Sequence, residues 1–133
     1  KCAAPGTIET VLSFCRYELN DDALADVVPF FAERGLGIIN ASPTGMGLLT
    51  ERGVPSWHPA PRRMVEVARE AVAFCKAEGV DIVKLAIQYA ISHPGIATTL
   101  VGTADPDNLR KNVEYAMGPV DHALIARVRQ ILA

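Results

Sequence analysis

Two short segments concentrate the residues whose types and spacing could hold an anionic ligand. In "NASPTGMGLLTERGVPSWHP", residues 40–59, an apolar run gives way to small and polar residues, with three glycines, three prolines and a Trp-His pair near the end. In "VGTADPDNLRKN", residues 101–112, Gly102 and Thr103 lead into Asp105-Pro106 and then into a polar helical pattern. Small residues let a backbone approach a ligand closely. Unpaired N–H groups at the start of the "PDNLRKN" helix, reinforced by the helix dipole, suit a phosphate. The same residues also make ordinary turns and a helix cap, so both readings stand at this level. Neither GxGxxG nor GxxxxGK[ST] occurs, so no standard nucleotide fingerprint decides between them.

The other reactive side chains form no constellation. His58 sits in a loop, His93 precedes a proline and His122 opens the last helix, too scattered for a metal-site spacing. A loop histidine is most often an ordinary surface residue. Cys15 falls in an apolar run and reads as packing. Tyr17 and Tyr89 lack a Lys or His at a catalytic spacing. Cys2, Cys15 and Cys75 show no CxxC pattern and read as free thiols of a reducing compartment, the cytoplasm.

The elements that must position these loops alternate between strand and helix. Strands are expected at Thr10–Cys15, Leu36–Ala41 and Ile96–Gly102. Val11, Leu12, Ile38, Ile39, Leu100 and Val101 would be buried, as in parallel strands covered on both faces. Leu24, Val27, Val28 and Phe31 recur at helical spacing, with Pro29 expected to kink or tighten that helix and Gly35 to close it. A helix follows Pro61 and ends at Gly79, its face being Met64, Val67, Ala68, Ala71, Val72 and Cys75. Further helices begin at the caps Asp81, Asp105 and Asp121, the first running to His93-Pro94. The β-α-β order implies parallel strands. Both loop segments then lie at carboxyl ends of strands, where α/β proteins place their ligands.

The 133 residues are half apolar and 6% aromatic, enough for one globular domain with a core. Thirteen basic and fifteen acidic residues give a net charge of -2 without a basic run, so nothing points to nucleic acid or an anionic membrane. No apolar stretch approaches a membrane span. The start, "KCAAPGT", has neither an initiator Met nor a signal-peptide pattern and reads as the interior of a longer protein.

"ASPTGMGLLT", "LVGTADPDNLRKNV", "VLSFCRYELND" and "KLAIQYAI" resemble motifs of the aldo-keto reductase family, closest to its L-galactose dehydrogenase branch, over essentially the whole chain. The resemblance implies a (β/α)8 barrel, a fold of about 250 residues. Residues 1–133 would be a single partial domain, its C-terminal three β/α units. It also implies an NAD(P)-dependent oxidoreductase acting on a sugar or aldehyde. The family's catalytic Asp, Tyr, Lys and His lie on earlier strands, so this chain would be the cofactor-binding half, inactive alone. It would join its missing N-terminal half or self-associate through open strand edges.

On the same resemblance, Ser42, Pro43, Thr44, Gly45 and Met46 wrap the dinucleotide diphosphate. Gly102, Thr103, Ala104 and Asp105 follow the adenosine ribose, and Asn108 and Asn112 lie near the adenine. Ala41 replaces the usual aromatic ring against nicotinamide, Ser13 is the nearest polar candidate for the carboxamide, and Lys111 replaces a common acidic residue. Trp57 and His58 are candidates for the substrate rim. Gly102 and Asn108 stand where NADP-preferring relatives often carry Lys and Arg, so NAD is expected over NADP. Two alternatives remain: a non-catalytic nucleotide-binding regulatory subunit, and a stand-alone α/β unit with no enzymatic role.

Overall fold

A computed structural model describes residues 6–133. Cys2 lies outside the described residues, whereas Cys15 and Cys75 are free thiols, as expected. Three strands, β1 (Thr10–Phe14), β2 (Gly37–Ala41) and β3 (Thr98–Leu100), form one parallel sheet in chain order. Val11 pairs with Ile38, Ser13 with Asn40 and Phe14 with Ala41; Asn40 pairs with Thr99 and Ala41 with Leu100. Five helices follow the sequence pattern: α1 (Val28–Ala32), α2 (Arg62–Ala77), α3 (Ile82–Ala90), α4 (Pro106–Met117) and α5 (His122–Leu132).

The caps form where the sequence put them. Asp81, Asp105 and Asp121 each accept a hydrogen bond from a first-turn N–H, of Val83, Asp107 and Leu124 respectively. Gly79, with φ of +72°, turns the chain out of α2. Of the two outcomes expected at Pro29, the helix tightens rather than kinks. A 3-10 turn at Ala25–Val27 precedes α1, and Pro29 lies in its first turn, where a missing N–H leaves no bond unmade. α3 stops at Ala90, not His93, because Pro94 disfavours helical backbone at the residue before it.

Only one sheet face is covered. Ile38 and Asn40 face the helices and are buried with Leu85 and Ala86 of α3, Ala68 and Ala71 of α2, and Leu124 and Val128 of α5. On the opposite face Leu12 is 55% exposed, Phe14 52% and Leu100 48%. Of the six strand residues expected to be buried, only Ile38 is. Val11, Ile39 and Val101 are half-buried, and Leu12 and Leu100 are exposed. For Leu12, Ile39 and Leu100 the physical reason is that, among the described residues, no second layer packs on that face; Val11, in register with Ile38, lies on the helix side at the sheet edge.

Candidate functional site

The chain leaves β2 through a strained turn. Ser42 and Met46 both adopt left-handed backbone, with φ of 66° and 53°, a conformation that non-glycine residues adopt at a cost. Local bonds hold it there. The Gly45 N–H donates to the Ser42 carbonyl at 2.9 Å, and the Met46 N–H to Ser42 Oγ at 3.2 Å. Gly47, at φ of +101°, lies so near the Gly53 carbonyl that a Cβ would come within 2.9 Å of its oxygen. Only glycine fits.

This turn forms one wall of a cleft of about 950 Å³ at the carboxyl ends of the strands. Ser42, Pro43, Thr44 and Met46 line it from β2; Gly102, Thr103, Asn108 and Asn112 line it from β3 and α4. Trp57, 70% exposed, stands at its rim. The structure thus unites the two segments singled out in the sequence. A cleft of this size suits a ligand as large as a dinucleotide.

Five sequence candidates lie outside the cleft lining. Ser13 is in register with Asn40 and shares its helix-facing side, so the pleat turns it away from the bare face. Gly45 is buried behind the wall, between lining neighbours Thr44 and Met46. Ala104 is exposed and does not line the cleft. Asp105 Oδ1 is committed to the α4 cap, accepting from the Asp107 N–H at 2.8 Å. His58 is turned inward: its Nδ1 accepts from the Ala60 N–H at 3.1 Å, so neutral His58 carries its proton on Nε2 and donates to the Gly45 carbonyl at 2.9 Å. It is a strut beneath the turn.

Four polar residues that the sequence did not assign to the site also line the cleft: Thr50, Arg52, Asp81 and Tyr115. Lys111, which the resemblance set in place of an acidic residue, lines it too. Arg52 and Lys111 form no ion pair among the described residues. Both Asp81 oxygens are engaged, one by the Val83 N–H and one by the Tyr115 hydroxyl at 3.0 Å. Burial, then the Asp81 carboxylate, push the Tyr115 phenol above its ordinary range, so it stays neutral. The free cationic charge therefore comes from Arg52 and Lys111. The signal for Arg52 was its place in the glycine-rich loop, in "TERG".

No group of three or more His, Cys, Asp and Glu residues is placed to hold a metal ion among the described residues. Burial raises the Cys15 thiol, which weighs against a thiolate nucleophile there. Tyr17 stacks on Tyr89 at 5.0 Å and meets His93 edge-on at 5.3 Å, a contact the sequence did not show. His93 Nδ1 accepts from the Gly95 N–H, so the cluster packs and caps.

Residues 4–133 match the aldo/keto reductase family. The chain belongs to that family. It is 44% identical over 132 residues to L-galactose dehydrogenase of Arabidopsis thaliana, a match covering 96% of this chain and 41% of that protein. It is 30% identical over 112 residues to D-arabinose 1-dehydrogenase of Saccharomyces cerevisiae, covering 79% and 32% respectively. Among solved structures, the apo form of aldo-keto reductase AKR11C1 from Bacillus halodurans superposes with a TM-score of 0.69 at 20% identity, covering 93% of this chain and 43% of that one. The chain thus spans less than half the length of these aldo-keto reductase relatives, and its fold is of their α/β barrel type. Among the described residues, no helix is long and apolar enough to cross a membrane.

Proposed function

We propose that this chain is the cofactor-binding part of an NAD-dependent aldose dehydrogenase. The observation that carries this reading is the single cleft that joins the β2 turn to α4 at the carboxyl ends of parallel strands, with Arg52 and Lys111 as its free cations. The residues fit a nicotinamide dinucleotide. Ser42 and Thr44 would offer hydroxyl groups to a diphosphate, with Arg52 and Lys111 as counter-charges, while Met46, its N–H held by Ser42 Oγ, shapes the wall. Thr103, Asn108 and Asn112 offer hydrogen bonds to a ribose and adenine. Bound NAD would supply hydride acceptance from a sugar carbon. This chain would bind and orient it, while proton transfer falls to residues outside these 133.

The charge count favours NAD. A dinucleotide diphosphate carries two negative charges, and the cleft offers two free cations. A 2′-phosphate would need further positive charge, usually Arg or Lys. Gly102 and Asn108 provide none. Asp105 Oδ1 accepts the α4 cap bond, and the carboxylate keeps its negative charge beside that loop, which adds to the case against a 2′-phosphate.

The substrate class is an aldose such as L-galactose or D-arabinose, the sugars in the relatives' names. Trp57 would form the pocket rim. On this reading residues 1–133 are the last three β/α units of a barrel, and the bare sheet face supports it as a surface that further strands would cover. The free thiols fit a cytoplasmic protein.

Steady-state kinetics of the native full-length protein test this reading. The expected result is aldose oxidation with a higher kcat/KM for NAD than for NADP, and Asn108→Arg should shift the ratio toward NADP. A higher kcat/KM with NADP would overturn the cofactor assignment. No turnover of any aldose with either cofactor would overturn the activity.

A further inference from the structure

Glu18 is a carboxyl group that cofactor binding as described does not use. It follows β1 in the tight turn "YELND", where the Glu18 and Asp21 backbones bond to each other. Its side chain is only 4% exposed. It lies directly behind the β2 turn: a Cβ on Gly45 would sit 3.1 Å from Glu18 Oε2 and 3.5 Å from Oε1. Gly45 itself is buried, yet Thr44 and Met46 on either side of it line the cleft. The wall between Glu18 and the cleft is therefore one backbone strand thick.

The surroundings supply acceptors more than donors. Glu18 Oε1 receives a long 3.4 Å bond from Asn20 Nδ2, and the Gly45 N–H lies near the carboxyl while donating to the Ser42 carbonyl. Glu18 Oε2 and Asn20 Oδ1 are both buried without a partner among the described residues. A carboxyl in such a setting retains its proton, because burial disfavours the anion and a neutral acid adds a donor. The charged and titratable groups around it are few. Asp21 is a like charge, itself paired with Arg16 at 3.1 Å, and the Cys15 thiol precedes them. His58 holds the far side of Gly45 through the carbonyl, and Arg52 lies on the cleft side. Burial is the largest cause raising the Glu18 carboxyl, to about 7, with Asp21 adding to it and Asn20, the Gly45 N–H and Arg16 opposing.

From this geometry we infer that Glu18 is a positioning residue for the Ser42–Gly47 turn, and that its proton is required for tight binding of an anionic dinucleotide in the cleft. The proton matters for two reasons. An ionised Glu18 places a negative charge behind the wall that meets the diphosphate, with little water to screen it. It also draws the Gly45 N–H toward itself, in competition with the Ser42 carbonyl that closes the turn. The inference rests on the cleft being a dinucleotide site.

The test is calorimetric titration of the native full-length protein with NAD from about pH 6 to about pH 8.5, in wild type and in Glu18→Gln, the neutral isostere. The wild-type dissociation constant should rise about threefold to tenfold across this range. Glu18→Gln should hold the acid-side affinity throughout. Any dependence belonging to His58 would persist in the variant, which separates the two groups.

A carboxyl ¹³C NMR titration of wild type, without ligand, reports Glu18 directly and does not depend on the variant folding. Glu18 ionised at the acid end of the range would overturn the inference. So would equal pH dependence of binding in both proteins, while leaving the dinucleotide reading intact. Absence of NAD binding at every pH, with Glu18 still titrating near neutrality, would instead mark failure of the dinucleotide reading, and the inference would fall with it.

Discussion

Glu18 also ties stability to pH in the absence of any ligand. Its folded carboxyl titrates at about 7, against an ordinary 4.5. Between these values the native protein binds a proton that the unfolded chain has released. Stability is therefore fullest below the unfolded value, falls as pH rises, and levels off above the folded one. The loss is about 3 kcal/mol. Urea unfolding of the native protein at a series of pH values should show wild type losing stability relative to Glu18→Gln from about pH 5 to about pH 8. Parallel curves would mean that Glu18 ionises as an ordinary surface acid. This residue was illegible in the sequence for a physical reason. "RYELNDD" reads as a solvated polar turn, and its burial arises only when residues 42–47 fold over it from a distant part of the chain. Arg52 was missed for the opposite reason, since a cation in a loop is unremarkable until a cleft forms beside it. The two segments that line the cleft were legible because strand ends and glycine turns mark such places in α/β folds, whereas roles for Ser42, Thr44, Met46 and Asn108 came only from the family resemblance.

Elements were legible where their determinants are local. Asp81, Asp105 and Asp121 cap helices using N–H groups two or three residues away, so the sequence contains everything needed. What sets one helix against another is less visible. Gln88 looks like a polar interruption of the apolar face of α3, yet it is buried. Its Nε2 donates to the carbonyls of Tyr115 at 3.1 Å and Pro119 at 3.0 Å, with Gly118 at 3.5 Å. This latch joins α3 to the end of α4, the helix that carries Asn108, Lys111, Asn112 and Tyr115 into the cleft. Gln88→Leu would remove the donor to these half-buried and exposed carbonyls, a loss of about 1 kcal/mol. A loosened α4 should also weaken NAD binding, by about fivefold if about 1 kcal/mol reaches the site. Urea unfolding and calorimetry of the native protein would measure the two effects. Unchanged stability and affinity would show that the bonds to Gln88 hold nothing in place.

At the scale of the molecule, the unusual feature is a parallel sheet with one naked face. Parallel sheets are normally covered on both sides. The apolar runs in the sequence announced strands of that kind, but a run cannot reveal whether a second layer is present. Here Leu12, Phe14 and Leu100 lie exposed on that face, and β1 and β3 are both edges with unpaired backbone groups. A second apolar strip runs along α4, where Leu109, Val113 and Met117 recur every fourth residue and are all exposed. Exposed apolar surfaces of this kind mark sites of association. The isolated 133-residue polypeptide should therefore associate at micromolar concentration, through its edges and bare face, and bind a hydrophobic dye such as ANS. Sedimentation velocity should show dimers or larger species whose proportion grows with concentration. Leu12→Thr together with Phe14→Thr keeps strand propensity while removing apolar surface, so this double variant should shift the distribution toward monomer and reduce dye binding. A compact wild-type monomer with a sharp cooperative unfolding transition would contradict the expectation. It would show that the helix-side core of Ile38, Leu85, Ala71 and Val128 suffices to hold the chain together with the inner face left in water.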